Sequence, residues 1–393
     1  MNSVKVEPGY LKKKLKVPTS KSYANRLLIL GALTPELFKI ESMPFSTDVT
    51  SLVNCLKEIG LDIELSGDCL TLKNSFPECE KDSNVFLEPG DGGTTTRFLI
   101  GLLARGKKTY RVKLSLEMSV RPMDDLIHNL LELGVYVKKT EDILEIKGPY
   151  KLKEQITVEG NKSTQFASSL ALALADKKTT IKINNLRNSK TYFSLTNSLI
   201  KDFKKGQRNF RVPLDFSSLS YPFALGLIGG DIEVQDFAMD RLQADAKLLD
   251  YFKDFINIEE GVLKINNLVN LEPVEIDCSD CLDLVPALAF ICSNILGKSI
   301  LKNLEGLLFK ETNRVKEIMN LLTLFNVSHH LSSGYSLEIV GSSQKSGFVE
   351  YDCPQDHRMA MTAFLFMKRN SGGIIINASC VKKSFPGFFT SLS

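Results

Sequence analysis

The stretch Lys16-Val-Pro-Thr-Ser-Lys-Ser-Tyr-Ala-Asn-Arg26, running into Leu27-Leu-Ile-Leu-Gly-Ala-Leu33, decides how this chain is read. Pro18 ends an extended segment, Thr19 or Ser20 offers a cap, and Leu27, Ile29, Leu30 and Leu33 have the spacing of a buried helix. A helix is therefore expected to start near Ser20. Its first turn keeps N–H groups without backbone partners, and Lys21, Ser22 and Arg26 surround that end, Ser22 and Arg26 on one face. The plainer reading is a capped surface helix with solvated Lys and Arg; the other is an anion site. Recurrence favours the second.

A short run of small, hydroxyl-bearing or charged residues feeding an apolar helix appears near Ser20, Thr94, Ser163, Ser218, Asp283 and Asp356. Between starts the content repeats as well. A β-rich segment such as Thr109-Tyr-Arg-Val-Lys-Leu114 is followed by a second amphipathic helix and two short strands around a turn. Second helices are expected at 48–59, 123–133, 192–201, 244–255 and 314–325, several ending in Gly or Asn, as at Gly60, Gly134 and Asn326. The starts lie about 55 to 75 residues apart, too far for a solenoid repeat and suited to a small α/β subdomain. Six units predict two domains of three. The third interval is the shortest: the polar run Lys204-Lys-Gly-Gln-Arg-Asn209 leads directly to Phe210-Arg-Val-Pro213, so its closing hairpin is expected to be trimmed.

Composition excludes several classes. At 393 residues and 43% hydrophobic the chain has enough apolar material for more than one core. Its 49 Lys and Arg against 46 Asp and Glu leave a net charge of +3, too balanced for a protein that holds nucleic acid by bulk charge. The first residues lack a signal-peptide apolar core and no apolar run approaches a membrane span, so a cytoplasmic protein without membrane contact is expected. The eight scattered cysteines read as thiols of a reducing compartment. Cys278 and Cys281 form a C-x-x-C with no second pair or matching His, which reads as coincidence rather than a metal site.

The helix starts carry the chemistry. Pro89-Gly-Asp-Gly-Gly-Thr-Thr-Thr-Arg97 brings backbone N–H groups, threonines and Arg97 toward a phosphate or carboxylate, without the ending of a Walker loop. Asp91 in this loop is expected to cap the helix that follows. Gly160-Asn-Lys-Ser-Thr-Gln-Phe166 and Ser189-Lys-Thr-Tyr192 add hydroxyls and an amide, fitting a polyhydroxylated anion. Asp283 precedes an apolar helix, and Lys310-Glu-Thr-Asn-Arg314 sets Glu311 among cations, as a salt-bridge member or as an acid/base. Asp356-His-Arg-Met-Ala-Met361 and Lys382-Lys-Ser-Phe-Pro386 complete the series. Basic groups recur at nearly every start, which calls for a multiply anionic ligand.

Together these ordered motifs, from about Val17 to Pro386, resemble the 5-enolpyruvylshikimate-3-phosphate synthase family of enolpyruvyl transferases. The resemblance implies a two-domain inside-out α/β barrel of six βαβαββ-type units, the third shortened, divided as 18–213 and 1–17 plus 214–393. It implies transfer of the enolpyruvyl group of phosphoenolpyruvate to the 5-hydroxyl of shikimate-3-phosphate, with no cofactor and no metal. By resemblance Lys21, Gly93, Arg121, Gln165, Arg314, Arg358 and Lys383 match phosphoenolpyruvate contacts. Lys21, Ser22, Arg26, Ser163, Thr164, Gln165, Ser189, Tyr192, Asp283 and Lys310 match the shikimate-3-phosphate side. The catalytic set is Asp283 for the hydroxyl proton, Glu311 for the methyl carbon, and Lys21 and Lys383 for developing charge. The partners implied are these small molecules, with a monomeric chain.

Four positions depart from the family pattern: Thr164 where Ser is usual, Asn313 where an acid is usual, Leu308 where Arg often stands, and Asp91 where Asn is common. The UDP-N-acetylglucosamine enolpyruvyl transferases share the fold. They would want a Cys in a loop near Arg121, and none occurs between Cys79 and Cys278. A nucleic-acid-binding module of related fold is the third reading, opposed by the near-neutral charge and the lack of basic runs interleaved with aromatics.

Overall fold

The computed structural model describes residues 3–81, 85–265, 271–343 and 346–392. The chain forms two compact units, Thr19–Pro213 and Met1–Pro18 with Leu214–Ser393.

In the Thr19–Pro213 unit the helices Lys21–Gly31, Gly93–Leu103 and Gln165–Ala173 pack on one another and are buried along most of their length. Past their polar first turns these helices are mainly apolar and buried on every side, so they take the centre. Close approach is possible because Gly101 has no side chain: a Cβ there would lie 2.9 Å from the Ser169 carbonyl oxygen. The strands sit outside and alternate, as in Tyr110–Lys113, where Tyr110 and Val112 are buried and Arg111 and Lys113 exposed. The second unit repeats this plan with Phe216–Leu227, Val285–Ser293 and His357–Arg369 inside.

Among the described residues four sheets share one spatial order: an edge strand, a parallel neighbour, then an antiparallel hairpin. Val85–Leu87, Tyr110–Lys113, Ile143–Lys147 and Tyr136–Lys139 make one of them within a single stretch of chain. In two others the leading strand comes from elsewhere. Asn209–Arg211 lies parallel to Phe38–Glu41, so the end of its unit completes the first sheet, and Lys12–Leu15 lies parallel to Asp231–Val234.

Two segments are shorter than the full pattern. Gln155–Glu159 and Thr180–Asn184 form a two-stranded parallel pair, and the helix Lys190–Lys204 then leads to Asn209–Arg211 without an intervening hairpin. The last segment, expected to be complete, is shortened too. After Val349–Asp352 and Gly373–Ile376 the chain turns into the 3-10 helix Ala378–Lys383, and Ser3–Val6 pairs antiparallel with Gly373–Ile376 where a hairpin strand would sit.

The expected helix at 244–255 is also broken, into the 3-10 turn Ala244–Ala246, the helix Lys247–Tyr251 and the 3-10 turn Lys253–Phe255. The tighter first turn directs Asp245 into the interior, where Ser217 donates to it. The second helices Thr47–Glu58, Asp124–Glu132 and Arg314–Leu324 stop before Gly60, Gly134 and Asn326, all at positive φ, which lets the chain reverse into the next strand. Among the described residues no helix is long and apolar enough to cross a membrane.

Candidate active site

Each unit gathers its helix N-termini through side chains that the sequence had singled out. In the Thr19–Pro213 unit Ser20 caps Lys21–Gly31 by accepting from Tyr23 N–H at 3.4 Å. On that helix Asn25 donates to Thr94 Oγ1 at 3.4 Å and Thr95 Oγ1 at 3.2 Å, tying two N-termini together. Arg26 ties in a third element: Nε donates to Thr196 Oγ1 at 2.8 Å, Nη1 to Ser22 Oγ at 2.6 Å and Nη2 to the Tyr192 carbonyl at 3.1 Å. Its guanidinium is fully buried beside the Phe98 ring, and burial pulls its pKa down to about 10, so it stays charged at neutral pH.

Lys21 Nζ pairs with Asp48 Oδ2 at 3.0 Å, and Asp48 also accepts through its carbonyl from Thr95 Oγ1 at 3.1 Å. Gly92 and Gly93 are glycine for want of room. A Cβ on Gly92 would lie 2.8 Å from the Asp48 carboxylate, and one on Gly93 would lie 2.9 Å from both terminal nitrogens of Arg121. The N-cap position is Gly92, one residue after Asp91, and the helix begins at Gly93. Gly92 takes the position because Asp48 leaves no space for a side chain there.

Arg97 donates to Gln165 Oε1 and to the Pro122 carbonyl, both at 2.6 Å, and so joins the second and third helix starts. Ser163 Oγ accepts from Gln165 N–H at 3.2 Å and Thr164 is buried at the cap of Gln165–Ala173. Ser189 precedes Lys190–Lys204 in the left-handed region, at φ 61°. Lys21, Ser22, Arg26, Gly93, Arg121, Gln165 and Tyr192 thus belong to a bonded or touching set at these helix starts.

The second unit holds a denser cluster of charge. Arg314, at 1% exposure, donates from Nη1 to Asp283 Oδ1 at 2.8 Å and from Nη2 to Glu311 Oε2 at 2.5 Å. It also grips Asp356 through Nε at 2.7 Å and Nη2 at 3.1 Å. Asp356 caps His357–Arg369 as well, accepting from Arg358 N–H at 3.0 Å. Lys310 Nζ lies 3.2 Å from Asp283 Oδ1, Arg358 Nη2 lies 3.2 Å from Asp283 Oδ2, and Lys383 Nζ lies 3.9 Å from Glu311 Oε1. Burial opposes the charge of Asp283, but Arg358, Lys310 and Arg314 outweigh it and hold the carboxyl well below the usual carboxylate range. Burial likewise works against Arg314, and Asp356, Glu311 and Asp283 outweigh it, raising its pKa.

The fourth helix start is capped by Asp215 rather than near Ser218: its carboxylate accepts from Ser217 N–H at 2.9 Å and Ser218 N–H at 3.3 Å. Asp48, Asp356 and Asp245 are the acids that sequence reading passed over as site members. Asp356 stood in a quoted motif, but nothing in its spacing tells that it would clamp Arg314, 42 residues away.

The profile of the EPSP synthase family (3-phosphoshikimate 1-carboxyvinyltransferase) matches residues 6–392. The chain belongs to the EPSP synthase family. Members of this family transfer the enolpyruvyl group of phosphoenolpyruvate to shikimate-3-phosphate in the shikimate pathway. A 3-phosphoshikimate 1-carboxyvinyltransferase of Clostridioides difficile is 30% identical, the match covering 99% of this chain and 96% of that one. Another from Archaeoglobus fulgidus is 30% identical over 98% of this chain and 97% of its own length. In fold the chain is similar to an EPSP synthase of Acinetobacter baumannii, with a TM-score of 0.78, 19% identity, and 100% and 97% of the two chains covered. It is also similar to the enolpyruvyl transferase NikO of Streptomyces tendae, at TM-score 0.75 and 13% identity over 99% and 96% of the chains. Its architecture is the two-domain inside-out α/β fold of EPSP synthases.

Proposed function

We propose that the two helix-start clusters carry out the family's reaction on shikimate-3-phosphate and phosphoenolpyruvate, with roles divided as follows. Lys21, Ser22, Arg26, Ser163, Thr164, Gln165, Ser189 and Tyr192, with Asp283 and Lys310, hold shikimate-3-phosphate. Phosphoenolpyruvate is held by Lys21, Gly93, Arg121, Gln165, Arg314, Arg358 and Lys383. The 5-hydroxyl adds to C2 of phosphoenolpyruvate while the methylene carbon is protonated; the tetrahedral intermediate then loses phosphate and a proton from the same carbon. Asp283 takes the hydroxyl proton. Glu311 delivers and later removes the carbon-bound proton, and Lys21 and Lys383 meet the charge that develops on oxygen.

The observation that carries this reading is the pairing of Asp283 and Glu311 with Lys310, Arg314, Arg358 and Lys383 in one cluster. Held by three cations, Asp283 is a poor base as it stands. An arriving trianionic substrate competes for Arg314 and Arg358, loosens their hold, and raises the basicity of Asp283 at the moment a hydroxyl is presented to it. Charge is met by Lys and Arg, and a C–O bond breaks rather than a phosphoryl group moving, so the reading uses no metal.

A monomer in a cytoplasmic compartment completes the proposal; the eight cysteines, all free thiols, support a reducing compartment. A coupled phosphate-release assay with both substrates tests it. Phosphate release that requires both compounds is the expected result; release from neither combination overturns the assignment.

A further inference from the structure

The turn that broke the expected helix at 244–255 places a buried acid behind the anion-binding arginine. Asp245, 3% exposed, accepts a hydrogen bond at Oδ2 from Ser217 Oγ. The same serine oxygen accepts from Arg358 Nη2 at 3.0 Å, and Arg358 in turn lies 3.2 Å from Asp283 Oδ2 and donates to the Asp283 carbonyl at 3.3 Å. We infer that Asp245 is a positioning residue for Arg358, acting through the Ser217 hydroxyl. The inference rests on the assignment of Arg358 to phosphoenolpyruvate.

Hydrogen-bond direction links the two residues. A serine hydroxyl has one proton and can point it either way. With a carboxylate on one side the proton is committed to Asp245, so the oxygen lone pairs face Arg358 and accept from it. A hydroxyl without that acceptor, or beside an Asn that turns its amide N–H to the serine oxygen, no longer commits its lone pairs to the guanidinium, and the contact is weakened or becomes a repulsion. The turn carrying Asp245 is itself fixed: Gln243 donates to the Leu214 carbonyl at 2.7 Å and accepts from Phe216 N–H at 3.3 Å, stapling it to the start of Phe216–Leu227. Asp245 also brings a fourth carboxylate to a cluster of four cations and three acids, Asp283, Glu311 and Asp356. Arg358 is thereby held on two sides, its plane set before an anion arrives, which is the preorganisation that an electrostatic site needs. Asp245 is enclosed by protein at 3% exposure, so it acts on the substrate through Arg358 rather than by contact.

The test uses the full chain with Asp245→Asn, Ser217→Ala, Ser217→Thr and the double variant Asp245→Asn/Ser217→Ala, measured for kcat, both KM values and thermal stability. Asp245→Asn and Ser217→Ala are each expected to raise KM for phosphoenolpyruvate roughly tenfold, with KM for shikimate-3-phosphate within about twofold and kcat within about threefold. The double variant should be no worse than either single one, as expected of residues in one relay, and Ser217→Thr should restore the wild-type KM. A lowered melting temperature with both KM values unchanged, or additive losses in the double variant, overturns the inference. Crystal structures of Asp245→Asn and Ser217→Ala read the same point without turnover. Displacement of the Arg358 guanidinium from Asp283 is expected, and an unmoved Arg358 overturns the relay. An inactive wild type with a displaced Arg358 in the variants would overturn the enzymatic reading while leaving the positioning role standing.

Discussion

Replacing Asp356 by Asn asks whether the ion cluster is held by charge or by shape. Both carboxylate oxygens of this fully buried residue are in use. Oδ2 accepts from Arg314 Nε at 2.7 Å and Thr312 Oγ1 at 3.2 Å, and Oδ1 accepts from Arg314 Nη2 at 3.1 Å and Arg358 N–H at 3.0 Å. Asn keeps one oxygen, enough to go on capping His357–Arg369, but loses the charge and one acceptor for Arg314. Removing one partner of a buried pair costs about 3–5 kcal/mol, because the other charge stays buried without compensation. Arg314 retains Asp283 and Glu311, so the loss belongs at the lower end, about 3 kcal/mol.

For a unit of roughly 200 residues each kcal/mol moves unfolding by roughly 2–4 °C, which gives a fall of roughly 6–12 °C. Asp356→Ala removes the cap as well and should cost about 1 kcal/mol more. Differential scanning calorimetry at neutral pH, resolving the transition that the variant moves, measures both. If Asp356→Asn melts within about 2 °C of the wild type while Asp356→Ala falls only by the worth of a cap, the cluster is held by shape and the electrostatic account fails.

Three other outcomes follow from the geometry. Gly93→Ala pushes the Arg121 guanidinium outward, since the new Cβ would sit 2.9 Å from its terminal nitrogens, and should raise KM for phosphoenolpyruvate roughly tenfold or more with kcat less affected; an unchanged KM would show that Arg121 does not hold that substrate. Asp283→Ala and Glu311→Gln should each lower kcat by roughly a hundredfold or more, whereas a changed melting temperature with turnover nearly intact would remove either from the catalytic set. Burial, with the nearby charge of Asp283, raises the Asp245 pKa to about 6, above the usual carboxylate value. The folded state then binds this proton more readily than the unfolded one, so the stability Asp245 contributes is present at low pH and lost as pH rises through about 6. The melting temperature of Asp245→Asn relative to wild type should therefore climb from about pH 5 to about pH 7, and a flat or falling difference would contradict the shift.

The recurrence of polar helix starts before apolar helices was enough to read an α/β repeat and to mark candidate site positions, because caps and apolar periodicity are local in the chain. Ser20, Asp356 and the ends at Gly60, Gly134 and Asn326 are decided by neighbours within a turn or two of sequence. Lys21, Arg26, Gly93, Asp283, Glu311, Arg314 and Arg358 lie at or near helix starts and could be marked as candidates on that ground, while the roles proposed for them, and for Arg121 and Lys383, come from the family resemblance. What the sequence left open depends on partners far along the chain. Asn209–Arg211 completes a sheet with Phe38–Glu41, and Ser3–Val6 takes the place of a closing hairpin on Gly373–Ile376. Arg97 stands beside a glycine loop, but its partners Gln165 and the Pro122 carbonyl lie 68 and 25 residues away and could not be read from spacing. Asp245 looked like one residue of an amphipathic helix, and only the packing of its turn against Ser217 made it part of the charge network. Local hydrogen bonding and periodicity set the elements; which charges meet was decided by tertiary packing, because a buried ion is stable only beside a partner and sequence spacing does not specify distant partners.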